Sequence, residues 1–113
     1  MVTIAQVQAG AVKFLDAELL PAFNGWQKVL VGAGAGLIVK NLPNTMGMLA
    51  ANPVVAALGV WDGTRGLVDI DALGAAVLPM MGVEALPVPI PGGVTVRLGR
   101  ADMEKLIRYI KEA

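Results

Sequence analysis

Chemistry in this sequence has to come from carboxylates, amines, guanidinium groups, threonine hydroxyls and the single Tyr109, because histidine, cysteine and serine are all absent. Nucleophilic catalysis by a serine or cysteine paired with histidine is thereby excluded, and so is an imidazole proton shuttle near neutral pH. Zinc would find carboxylates alone, a poor donor set for it. Asp69 and Asp71 stand close enough in sequence for acid–base work or metal ligation. An aspartate just before an apolar helical run has a mechanical task instead, the capping of free N–H groups. The chain therefore reads as non-enzymatic, with no cofactor and no metal.

Five of the nine basic residues lie between Arg97 and Lys111. Within that run Arg97, Arg100, Lys105 and Arg108 form a candidate site for a small anionic ligand. Asp102, Glu104 and Glu112 are interleaved with them, the pattern of an ordinary solvated face. Basic and acidic side chains balance at nine each, so phosphate neutralisation provides no drive toward nucleic acid.

Gly32, Gly34 and Gly36 invite comparison with a phosphate-cradling loop, but the spacing fails. A dinucleotide fingerprint needs glycine where Leu37 or Val39 stands, and a P-loop needs a Gly-Lys pair that this chain lacks. Read as helix, these glycines cost about 1 kcal/mol each relative to alanine. Close approach of a second helix would offset that cost. Gly32 and Gly36 are one turn apart and Gly25 shares their stripe, the small-xxx-small arrangement of tightly packed helix pairs. Trp26, Gly32, Gly36 and Trp61 are the expected helix-packing and oligomer contacts.

These residues belong to a segment that dominates the chain. From position 29 to position 61 the only charge is Lys40. A chain of this length buries roughly two-thirds of its unfolded surface, so a hydrophobic content of 56% leaves apolar surface in search of a copy, a partner or lipid. Spanning a membrane takes about 20 apolar residues per helix. Residues 29–39 fall short of that, and residues 45–61 are interrupted by Asn52-Pro53. Burial in protein is the preferred reading, with a membrane-embedded or re-entrant hairpin as its alternative. Residues 1–3 open directly into an amphipathic pattern without a basic leader, and cysteine is absent, which together fit a cytoplasmic protein.

The positioning elements follow from periodicity. Thr3 and Gln6 make a capping box for a helix that Pro21 should end near Leu20, with its apolar stripe on the central segment. Asn24 and Gln27 repeat the signature before a helix over 25–40. Residues 41–44 have turn composition, Thr45 caps a short helix, and Pro53 suits the first turn of another. Asp62-Gly63 is a tight-turn dipeptide, after which residues 67–70 pair back as a strand. Asp69 or Asp71 then caps a helix over 72–81. Residues 87–91 and 94–98 alternate at period two around Pro91-Gly92-Gly93, a β-hairpin. A closing helix from Asp102 to Glu112 turns Met103, Leu106, Ile107 and Ile110 inward, with Glu104–Arg108 and Arg108–Glu112 pairs outside.

Asn52-Pro53-Val54, Ala57-Leu58-Gly59 and Val68-Asp69-Ile70-Asp71-Ala72-Leu73 follow a hydrophobic helical front. Residues 86–91, Thr95-Val96-Arg97-Leu98, Asp102-Met103-Glu104-Lys105-Leu106 and Tyr109-Ile110 complete the pattern. Over most of its length the chain resembles a group of small uncharacterised proteins encoded by phages and prophages of Gram-positive bacteria. The resemblance implies a phage origin and brings no catalytic residues with it.

The expected fold is α+β: four or five helices and a small antiparallel sheet in the C-terminal half. It forms one domain over 1–113, with an apolar helical part (1–61) and an α+β part (62–113). The expected function is that of a non-enzymatic phage protein, a minor virion or assembly component. Such a protein acts by homo-oligomerisation and by binding a phage structural or host protein, in the host cytoplasm or the virion. One alternative is an oligomeric counter-defence protein that sequesters an anionic signalling nucleotide. A second is a small membrane-embedded, holin-like hairpin.

Overall fold

A computed structural model describes residues 1–44, 53, 57, 59, 61–62, 65–80 and 85–113. The elements are β1 (Val2–Thr3), α1 (Ile4–Phe14), α2 (Gly25–Lys40), β2 (Trp61–Asp62) and β3 (Leu67–Val68), then α3 (Ile70–Val77), β4 (Leu86–Ile90), β5 (Val94–Leu98) and α4 (Arg100–Glu112). The architecture is α+β, mostly helical, with a small antiparallel hairpin followed by a C-terminal helix.

Thr3 starts α1 as its residue type dictates, its Oγ1 accepting the Gln6 N–H at 3.1 Å. The Gln6 side chain does not complete the box. It crosses the fold to donate to the Ile110 carbonyl at 2.9 Å. Winding continues past α1 through a π turn (Leu15–Leu19) and a 3-10 turn (Leu20–Ala22). Leu20 keeps helical dihedrals (−61°, −37°) although a proline follows it, so the expected stop moves on to Phe23, where the chain becomes extended. Pro21 lies at the start of the 3-10 turn, where its missing N–H leaves no bond unmade.

α1 lies chiefly along α4 and only secondarily on α2, a correction to the expectation that its stripe covers the central segment. The reason is Gly10. A Cβ there would fall 2.7 Å from the backbone nitrogen of Ile110, so the two helices meet across a position without a side chain. The inner side of α2 contributes Val31 and Ala35 to a core with Leu15, Ile90 and Val96. Phe14, Val68, Ile70 and Ile110 complete the buried apolar set among the described residues.

α2 matches its expected bounds, with Asn24 at the N-cap position but without a side-chain cap bond. Residues 42–44 are helical where their composition predicts a turn, and Pro43 is tolerated there as a first-turn residue. The helix expected from Thr45 lies outside the described residues, although Pro53 and Ala57 are themselves helical.

Leu67–Val68 is the middle strand of a three-stranded ribbon: Val68 pairs with Trp61 on one side and with Val2 on the other, both antiparallel. The strand stops earlier than expected because Asp69 leaves it to cap α3, accepting the Ala72 N–H at 3.0 Å. A 3-10 turn (Leu78–Met80) follows α3.

In the hairpin, Ile90 faces Val94 and Leu86 faces Leu98. Gly92 and Gly93 turn the chain at φ +111° and +90°, which side chains disfavour. Period two buries Ile90 and Val96 and leaves Pro87, Pro89, Thr95 and Arg97 outside. α4 begins two residues before Asp102, whose Oδ2 accepts the Gly99 N–H at 2.8 Å.

Candidate functional site

A groove of about 620 Å³, lined by polar and apolar side chains, runs between the π turn after α1, strand β5 and the start of α4. Its ionisable lining residues are Glu18, Arg97 and Asp102. Two carboxylates in one groove raise the question of acid–base chemistry, and their partners answer it. Glu18 accepts the Tyr109 hydroxyl at 3.1 Å and meets the Lys105 ammonium at 3.5 Å. Asp102 is occupied by the first turn of α4. Each carboxylate ties one element to another or closes a helix end, and neither is left over as a reagent. Tyr109 is held edge-on to Phe14, with ring centroids 6.1 Å apart. Its hydroxyl pKa is raised above 10.0, first by the hydrogen bond it donates to Glu18, then by burial and the nearby carboxylate charges.

The basic residues do not act as one cradle. Arg97 is on the outer face of β5, while Arg100, Lys105 and Arg108 are on α4 and exposed. Arg100 engages Glu104 at 3.6 Å and Lys105 engages Glu18, so two of the four cations already have carboxylate partners. Glu104 is thus met from the preceding turn of the helix, by Arg100. Lys111, at the far end of α4, pairs with Asp71 of α3. That contact holds the Asp71 carboxyl below 3.8, first through the hydrogen bond and then through the ammonium charge.

The second candidate surface is apolar. Along the outer side of α2, Trp26, Val29 and Leu37 are 69%, 70% and 52% exposed. Helical geometry sets Trp26, Val29, Ala33 and Leu37 on one stripe, with Gly36 beside it. Among the described residues a Cβ on Gly36 would meet nothing within 4 Å, and one on Gly32 would only touch the Leu20 side chain at 3.7 Å. Close approach within the chain therefore occurs at Gly34 and Gly10, not on the Gly32–Gly36 stripe. Trp61 is a strand residue, its backbone paired with Val68.

Sequence reasoning missed the Glu18–Tyr109–Lys105 group. Residues about ninety positions apart in sequence carry no spacing signal, and only the docking of α4 on α1 brings them together. Among the described residues no three carboxylates gather to hold a metal ion, and no helix is long and apolar enough to cross a membrane. Comparison with known proteins finds no matching family model, no matching curated protein and no matching solved structure.

Proposed function

We propose that this chain works without catalysis, by associating with further copies of itself and with a protein partner through the outer face of α2. The observation that carries this reading is the exposure of Trp26, Val29 and Leu37 along one face of a sixteen-residue helix. Large apolar side chains scattered singly on a surface need no explanation, but a continuous stripe of them marks an interaction surface. Alanine and glycine between the large residues leave room for a second backbone to approach. The resemblance to small phage-encoded proteins adds the setting, a minor virion or assembly component. The groove near Arg97 fits this reading too, since its two carboxylates, Glu18 and Asp102, are engaged in contacts that brace the fold.

Sedimentation velocity on the full chain tests the proposal. The expected species is a multiple of the 11.7 kDa protomer, reduced to a single copy in a Val29→Glu/Leu37→Glu variant with unchanged far-ultraviolet circular dichroism. A wild-type chain that sediments as one copy at high concentration would overturn the self-association. Quantitative pelleting with lipid vesicles would replace it with a membrane role.

A further inference from the structure

We infer that the protein holds a hydrophobic ligand, a single unbranched hydrocarbon chain, in a cavity between α1, α2, the hairpin and α4. The cavity has a volume of about 290 Å³ and its walls are apolar throughout. Phe14 is the only aromatic residue among the described lining residues, and its ring is already engaged by Tyr109. What remains is aliphatic, from Val7 and Ala11 on α1, Ala35 and Val39 on α2, Val88 on β4 and Leu106 on α4.

Two observations select this occupant. Water is a poor filler, because it needs two to four polar partners and the walls supply none. A charged or hydrogen-bonding ligand is excluded for the same reason, since burying such a group unpaired is costly. Side chains of α1 also tie down the two helix ends beside the cavity. Val39 and Ile110 line the cavity near the ends of α2 and α4, and their carbonyls accept the cap N–H groups of Asn41 and Ala113. Gln8 donates to the Val39 carbonyl at 3.0 Å and Gln6 to the Ile110 carbonyl at 2.9 Å.

Size sets the length. A cavity of about 150 Å³ with apolar walls takes up one benzene, and this one has roughly twice that room. At roughly 30 Å³ per carbon, the scale of one water in the liquid, it accommodates at most about ten methylenes. Ile38 lines the cavity and is also 41% exposed, which places the mouth at its side, near the C-terminal end of α2. A polar head group stays outside there while the chain enters. The inference is independent of self-association through the α2 outer face.

The test titrates the full chain with straight-chain 1-alkanols from pentanol to dodecanol, followed by methyl NMR and calorimetry. Saturable one-to-one binding is expected, with shifts at Val88 and Leu106. Affinity should climb with each carbon and level off at or before about ten. Ala35→Leu, which fills the cavity from α2, should weaken decanol binding about ten-fold or more, the loss of a few buried methylenes. If Ala35→Leu fails to fold, Val39→Phe, one turn further along α2, serves the same purpose. Affinity that rises without a break through dodecanol would mean partitioning onto exposed surface and would overturn the inference. Shifts confined to Val29 and Leu37 would overturn it equally, as would the absence of saturable binding.

Discussion

Gly34 and Ile90 meet with no side chain between them: a Cβ built on Gly34 would overlap Cγ2 of Ile90 and the carbonyl oxygen of Pro91. The hairpin tip is thus seated directly on the backbone of α2, and both residues are buried. Gly36, one half-turn on, has open space around it. Two glycines in one helix, equal by propensity, carry opposite tertiary consequences.

Their alanine substitutions should therefore differ in sign. Gly34→Ala is expected to destabilise by about 1–3 kcal/mol, because the hairpin backbone has to move away. Gly36→Ala should stabilise by up to about 1 kcal/mol, the helix-propensity gain with nothing to offset it. Urea unfolding of the pair checks this, and two changes of the same sign would contradict the seating of the hairpin on Gly34.

Gly36→Leu separates contact within a copy from contact between copies. Among the described residues the added side chain has no neighbour within 4 Å to strike, so folding and helical content should be kept. Assembly through α2 should be lost, moving gel-filtration elution toward the 11.7 kDa protomer. An unchanged elution volume would remove Gly36 from the interface.

Tyr109 reports the docking of α4 on the first helical segment. As the only tyrosine, its ionisation can be followed by ultraviolet absorbance without ambiguity. The midpoint is expected above 10.0 in the native protein, chiefly because Glu18 accepts its proton-bearing hydroxyl, and nearer the ordinary value in Glu18→Gln. A raised folded-state pKa means that the contact stabilises the protein below the ordinary tyrosine range. That contribution is lost as pH rises through the folded value. A native midpoint at or below 10.0 would remove the Tyr109–Glu18 bond.

Asp71 and Lys111 give the acid-side counterpart. The carboxyl is held below 3.8 by its bond to the ammonium and by the charge, so the linkage has the opposite sign. Its stabilisation is present above the ordinary aspartate range and is lost as pH falls through the lowered value. Carboxyl NMR should show the Asp71 midpoint rise in Lys111→Met. The pair is solvent-exposed, so the effect on thermal stability should be small.

Gln6→Ala probes the tie between α1 and the end of α4. It leaves the Ile110 carbonyl without its side-chain donor, at an expected cost of about 1–2 kcal/mol. Unfolding midpoints that match the wild type would mean that water replaces the glutamine without penalty.

Local rules carried far in this protein. The capping threonine, the bounds of α2, the capping Asp69, the hairpin with its glycine turn and the inner face of α4 all follow from interactions within a few residues. Periodicity, φ freedom and capping geometry are properties that neighbouring residues settle among themselves. The α+β class follows from their order along the chain.

Tertiary structure decided the rest. Which glycines of the run are approached closely, the docking of α1 on α4 through Gly10 and the addition of Val2–Thr3 to the ribbon all depend on chain segments far apart in sequence. So do the Glu18–Tyr109 bond and the glutamine closure of two helix ends. Spacing along the chain cannot encode such pairings, because each depends on where packing brings a distant backbone. That is why Gly34, and not the Gly32–Gly36 stripe, became the contact inside the fold, and why the outer face of α2 was left exposed.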